Sequence, residues 1–235
     1  MSDPVGPETH SELPPSSSDK WMICHGWRRA NAGLPDETSA AAEEGTFAHE
    51  RFANHLLGAE DIAQTCTQEM YEALMPCVEW AGQQAGLSYV EHKVDFGDRF
   101  GYADLTGTSD LVFVSDEQIH IADLKYGRGV VEVRENTQLL IYLVGAVHMF
   151  GRRPHYSMSI LQPRAWHCDG PIRTWTIDDA TLAAFEERLE AAIAGSYDLK
   201  SPLVPGDHCQ HYCKALGRCK AAKNYSLDLF RRTAL

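Results

Sequence analysis

Two alternating runs lie almost end to end, Gly107-Thr-Ser-Asp-Leu-Val-Phe-Val-Ser-Asp and Glu117-Gln-Ile-His-Ile-Ala-Asp-Leu-Lys-Tyr-Gly. Apolar residues at every second position mark strands, and the short Ser115-Asp116-Glu117 link leaves room only for an antiparallel hairpin. That hairpin constrains the fold more than any other stretch, because it fixes which residues of the two strands stand side by side. It also sets Asp110, near the start of one strand, beside Asp123 on its partner. Two neighbouring carboxylates repel unless a cation sits between them, and hard oxygen ligands select Mg²⁺ or Mn²⁺. Lys125 follows two residues after Asp123 and projects from the same face. An ammonium there can orient a metal-bound water or stabilise charge on a phosphate oxygen. For an isolated Asp-x-Lys, a salt bridge on an edge strand is the plain alternative.

The flanking sequence supplies covering helices and more polar groups. The segment 39–58 is Ala-rich, with apolar spacing at Phe47, Phe52, Leu56 and Leu57 and a stop at Gly58, which predicts a helix. Residues 66–85 predict a second helix, and the Ser-rich stretch before Gly33 a short first one. The run 87–96 alternates and carries Glu91 between apolar neighbours. Residues 136–150 are strongly apolar and close at Gly151, predicting a buried helix on which Gln138 and Tyr142, spaced i and i+4, share one face. Strands follow at 155–164 and 171–178, then an amphipathic helix from Asp178 to a stop at Gly195. This order predicts an α/β protein, a mixed central sheet flanked by helices.

The chain's 235 residues suit one sizeable domain. We expect a disordered segment over 1–18, rich in Pro, Ser and acids, and a single domain over 19–235 with its core at about 45–195 and a tail at 205–235. No apolar run approaches the ~20 residues of a spanning helix, and no apolar leader is visible, so we expect a cytoplasmic protein without membrane contact. With 33 acidic against 21 basic residues the net charge is −12, which argues against nonspecific polyanion binding through the whole surface. A local basic groove remains open to Arg128, Arg134, Arg152, Arg153, Arg164 and Arg173, with Lys214, Lys220 and Lys223 in the tail. Tyr126 and Trp166 are candidates for stacking on frayed bases, although Trp166 suits a core equally.

Four short patterns occur in order: Gly45-x-x-x-His49, Gly107-x-x-Asp110, Asp123-x-Lys125 and Gln138-x-x-x-Tyr142. Together they resemble the PD-(D/E)xK nuclease superfamily, and more narrowly its RecB-type branch. The resemblance spans roughly residues 45 to 142. It implies a restriction-endonuclease-like fold and a Mg²⁺- or Mn²⁺-dependent deoxyribonuclease. Its metal ligands would be His49, Asp110, Asp123 and the backbone carbonyl of Leu124. Lys125 would be the catalytic lysine, Glu91 a helper acid, and Gln138 and Tyr142 would contact DNA or support the site.

Seven cysteines in a chain of this kind speak against a disulfide framework. Cys209, Cys213 and Cys219 crowd together as C-x3-C-x5-C, and three thiolates so close suit a soft metal or a cluster. AddB-like helicase-nucleases and CRISPR-adaptation nucleases of the same branch carry one Cys before the core and three after it, which together hold a [4Fe–4S] cluster. The resemblance implies Cys24 as the fourth ligand here, joining an N-terminal helix to the C-terminal tail. The first spacing departs from the usual C-x2-C. Zn²⁺ with help from His208 or His211, or thiols packed as small hydrophobes, are the alternatives. Cys66, Cys77 and Cys168 read as ordinary thiols.

The resemblance thus implies an exonuclease acting on linear DNA ends in recombination or DNA processing, like stand-alone phage or mobile-element proteins, which would work in the host cytoplasm. A spacer-trimming nuclease of CRISPR adaptation shares the same motifs. A non-catalytic DNA-end-binding subunit is the reading from another class. No P-loop is present, so a helicase or a single-strand-annealing protein would be a partner, and a homo-oligomer is open.

Overall fold

The hairpin forms as its alternation demands. The computed structural model describes residues 11–35, 39–210 and 213–233. In it β1 (Leu87–Asp95), β2 (Thr106–Val114), β3 (Gln118–Leu124), β4 (His155–Leu161) and β5 (Ile172–Ile177) make one mixed sheet in the order β1-β2-β3-β4-β5. Only β3 and β4 run parallel. Val114 faces Ile119 across the β2–β3 turn, which Ser115 and Gln118 close.

The helices are α1 (Ser18–Trp21), α2 (Trp27–Asn31), α3 (Ala40–Leu56), α4 (Ile62–Thr65), α5 (Gln68–Gly82), α6 (Thr137–Phe150), α7 (Asp179–Tyr197) and α8 (Lys220–Thr233). Side chains stop the backbone donors at several starts: Ser39 caps α3, Thr67 caps α5, Asn136 caps α6 and Asp178 caps α7. Helix α6 bridges the parallel strands and is buried from Leu139 to Val147. With α7 it covers one sheet face, where Val112, Ile119, Ile121, Tyr156 and Ile160 meet Leu182, Phe185 and Leu189. Helices α3 and α5 cover the other face, packing Phe52, Leu74 and Cys77 on Leu111, Phe113, Ala122 and Leu124. The expected sheet with helices on both faces is therefore present.

Three expectations need correction. The stretch placed in a disordered lead-in is ordered over its described part: Leu13 is fully buried and Trp21 Nε1 donates to the Pro14 carbonyl. Apolar contact outweighs the Pro- and Ser-rich composition there. The short first helix is two helices separated by residues 22–26, which include Cys24 and His25. Helix α7 does not stop at Gly195 but runs to Tyr197; a Cβ at 195 would lie 2.4 Å from His25 Nδ1, so this glycine makes space and does not end the helix.

Candidate active site

Alternation in β1 slips by one at Glu91. The pairing with β2 keeps the same register on both sides, Val90 opposite Leu111 and His92 opposite Ser109. Yet Glu91 has φ +49°, a left-handed conformation that L-residues other than Gly rarely adopt. Tyr89 and His92 consequently stand on the same side, their rings 4.9 Å apart, and Val90 packs with the α3–α5 layer. The break aims the Glu91 carboxylate at Asp110. A residue from the opposite helical layer completes the group: His49, near the middle of α3, sets Nδ1 3.3 Å from Asp110 Oδ2. The ligand atoms of His49, Glu91 and Asp110 all lie within 4.8 Å of one another. Gly45, one turn earlier on α3, has open space beside it.

The second half of the site hangs from β3 and α6. Asp110 Oδ2 also accepts a 2.7 Å hydrogen bond from the Leu124 N–H, which locks β2 to the end of β3. Lys125 Nζ sits 2.7 Å from Asp123 Oδ2 and donates to Gln138 Oε1 at 2.9 Å. Gln138 Nε2 reaches Asp123 Oδ1 at 3.0 Å and the Tyr142 hydroxyl at 3.1 Å. Gly107 lets Tyr142 approach, since a Cβ there would stand 2.9 Å from the Tyr142 ring. The Gly-x-x-Asp and Gln-x-x-x-Tyr patterns are thus one packing unit.

The electrostatics of this unit call for a cation. Desolvation, then the charge of Asp110, pushes the Glu91 carboxyl up to about 7, although the side chain keeps an exposed flank. Burial pushes Asp123 above the carboxylate range, with Lys125 opposing it. Burial pulls the Lys125 pKa down, but the charge and hydrogen bond of Asp123, with the charge of Asp110, together outweigh it and raise the pKa above its usual range. For His49, the Asp110 hydrogen bond and charge outweigh burial, so its pKa is raised. Asp123 is 2% exposed, and its Oδ2, despite the nearby ammonium, accepts no well-directed hydrogen bond. The His49 imidazole with the Glu91 and Asp110 carboxylates is a donor set that fits Mg²⁺ or Mn²⁺, and the Asp123 carboxylate, ion-paired with Lys125, adjoins it.

Structure places the other candidates unevenly. Tyr142 is buried and Gln138 is spent on Asp123 and Lys125, so both support the site. Tyr126 is buried with the Arg164 guanidinium over its ring at 4.5 Å, and no face is left for a base. Trp166 is 86% exposed and is not core. The arginines do not form a common groove. Arg152 pairs with Asp179 and Glu186, Arg164 with Glu44, and Arg173 is buried on backbone carbonyls. Arg153 donates to the Ser115 carbonyl, at the far end of β2 from Asp110. Sequence reading missed Gln162, described below, whose only signal was a polar residue closing the apolar run of β4, and it read Arg173 as a groove cation where the structure buries it on Gln162 and backbone carbonyls.

Cys24, Cys209, Cys213 and Cys219 line one cavity between α2 and the tail, together with Trp27, Asn31 and His208. Burial, followed by the other three thiols, raises the Cys24 pKa, while the Val204 N–H opposes it. Three of the sulfurs accept N–H groups: Cys24 from Val204 at 3.3 Å, Cys219 from Ala222 at 3.4 Å and Cys213 from Asn31 at 3.9 Å. Such donors suit thiolate or cluster sulfur. No three of these thiols come within 4.8 Å of one another among the described residues, a wider spread than the ~3.8 Å edge that Zn–S bonds of about 2.3 Å give a tetrahedral site. Cys77 is buried with its thiol pushed up to about 12, Cys66 is half-buried, and Cys168 is exposed beside His167. His211 lies outside the described residues.

Solved structures similar to this chain include a Eubacterium rectale protein assigned provisionally as an exonuclease, with a TM-score of 0.49, 11% identity and coverage of 95% of this chain and 94% of that one. Another is a phage-related exonuclease from Haemophilus somnus, with a TM-score of 0.36, 13% identity and coverage of 81% and 95%. By sequence, residues 10–76 and 60–234 match the family described as protein of unknown function DUF2800, and the chain belongs to that family.

Proposed function

We propose that this protein is a metal-dependent nuclease that hydrolyses phosphodiester bonds in DNA, acting on ends in recombination or DNA processing. The observation that carries this reading is the convergence of His49, Glu91 and Asp110 beside a buried Asp123–Lys125–Gln138 network. His49, Asp110, Asp123 and the Leu124 carbonyl, with Glu91 on the open side, would hold one or two Mg²⁺ or Mn²⁺ ions. When bound, such ions polarise the scissile phosphate and lower the pKa of an attacking water. The chain's own part is preorganisation. Asp123 and Gln138 fix the Lys125 ammonium, which positions the water and offsets charge gathering on the phosphoryl oxygens. Tyr142 holds Gln138 in the orientation that serves both neighbours.

The same reading gives the cysteine-lined cavity a [4Fe–4S] cluster that joins α2 to the tail. It is supported by the gathering of four thiols and by their N–H donors. Purified protein with Mn²⁺ should shorten linear DNA, and Lys125→Ala should abolish shortening while leaving the melting temperature nearly unchanged. Intact DNA with the native protein, or full activity in the variant, rejects the nuclease. For the cluster, a broad absorption near ~400 nm in protein prepared without oxygen is expected; a colourless protein containing zinc rejects it.

A further inference from the structure

The loops leaving the parallel strands β3 and β4 are fastened into one rigid unit. Gln162, fully buried, uses its whole amide for this. Its Nε2 donates to the Gly129 carbonyl at 2.7 Å and the Gly127 carbonyl at 3.3 Å. Its Oε1 accepts from the Val131 N–H at 3.0 Å and from Arg173 at 2.8 Å. Arg173, itself buried, donates onward to the Val131 carbonyl at 2.7 Å and the Gly170 carbonyl at 3.1 Å. The amide has no donor or acceptor capacity left, so residues 127–131 and 162–173 move together. Arg164 pins the same unit to α3 through Glu44 at 2.8 Å, five residues before His49.

Two side chains stand out from this fixed unit into solvent. Arg128, three residues past Lys125, is 72% exposed, and Glu69, its one ion-pair partner among the described residues, is equally exposed at 3.6 Å. Such a pair is weak and is readily exchanged for another anion. Trp166 leaves its indole 86% exposed, and among the described residues no hydrogen bond, ion pair or ring contact engages it. A large aromatic held out on a loop that Gln162 fastens to the Arg128 loop, with Arg128 and Arg164 both reaching Glu69, is the arrangement of a base-stacking platform. Bases inside a duplex have both faces covered by their neighbours, so the platform favours an unpaired base over an internal paired one.

We propose that these two loops form a guide for single-stranded nucleic acid, in which Trp166 stacks on a base and Arg128 contacts the backbone, so that the strand reaching the acidic site is unpaired. The inference deepens the nuclease reading and rests on it for the meaning of the site. Its test is a binding measurement on the full chain carrying Asp123→Asn, with three labelled probes: a short oligothymidylate, an abasic strand of equal length, and a blunt duplex. The oligothymidylate should bind about tenfold more tightly than the abasic strand. Adding Trp166→Ala should erase that preference, and Trp166→Phe should keep most of it. Trp166 is too exposed for either change to threaten folding. Equal binding of the oligothymidylate and abasic strands, or an unchanged preference after Trp166→Ala, overturns the guide. The two proposals fail separately: a protein that shows the base preference but leaves DNA intact with Mn²⁺ loses the nuclease reading and keeps the guide, and one that cuts DNA without the preference does the reverse.

Discussion

The acidic site and the cysteine-lined junction are built in opposite ways. Asp110, Asp123, Lys125 and Gln138 are held by strand register, by the Leu124 N–H and by one another, all on elements that pack a continuous core. Their geometry exists before any ion arrives. The cysteines instead sit on short helices and loops drawn from distant parts of the sequence. These are tied by a few bonds, such as Arg29 to the Leu199 and Ser201 carbonyls and Asn31 to the Ala215 N–H. The contrast teaches that a metal would serve chemistry at the first place and cohesion at the second.

That contrast can be broken by experiment. Asp110→Asn keeps an acceptor for the Leu124 N–H but removes the charge beside His49 and Glu91. We expect DNA cleavage to fall by about a thousandfold with little change in melting temperature, read from gel assays and calorimetry. Cys213→Ser should do the converse, lowering unfolding free energy by about 3 kcal/mol while the purified folded fraction keeps its carboxylate chemistry. If the two variants behaved alike in denaturant titrations, the distinction would fall.

A third prediction checks that the sheet, apart from either site, has its own acid limit. His120 is buried against Trp80 and Phe113, bonds Ser159 Oγ at 2.8 Å, and burial lowers its pKa to about 4. The unfolded chain takes up this proton near its ordinary pKa of about 6.5; the folded chain resists until about 4. Between those values the unfolded state binds more protons, so stability is full above the upper one and falls as pH drops through the window, by about 3 kcal/mol in total. Urea titrations at several pH values should show this slope, and His120→Gln should flatten it. The smallest effect concerns Glu91. Replacing it with Gly relieves the positive φ, and should raise stability by about 1 kcal/mol while reducing cleavage. A loss of stability would mean that the left-handed turn is not strained.

The hairpin, the helix over 137–150 and the acidic pair were legible because alternation and capping residues act locally. Glu91 was legible as a residue but not as a geometry: the phase slip from Tyr89-Val90 to His92-Val94 is visible in the sequence, yet nothing local dictates a left-handed Glu. The arginine groove failed for a related reason. Arg152, Arg164 and Arg173 are clustered along the chain, but each finds its own buried or acidic partner in three dimensions. Gln162 escaped because a lone polar residue ending an apolar strand reveals neither its burial nor the loop it fastens.

The hydrogen bond from Arg29 to the Leu199 carbonyl spans 170 positions. At roughly 5–20 residues per second, a ribosome needs on the order of ten to thirty seconds to deliver the second partner after the first. Throughout that interval Arg29 lacks the Leu199 and Ser201 carbonyls, and the Cys24 sulfur lacks the Val204 N–H. Closing the junction therefore waits until nearly the whole chain has been made.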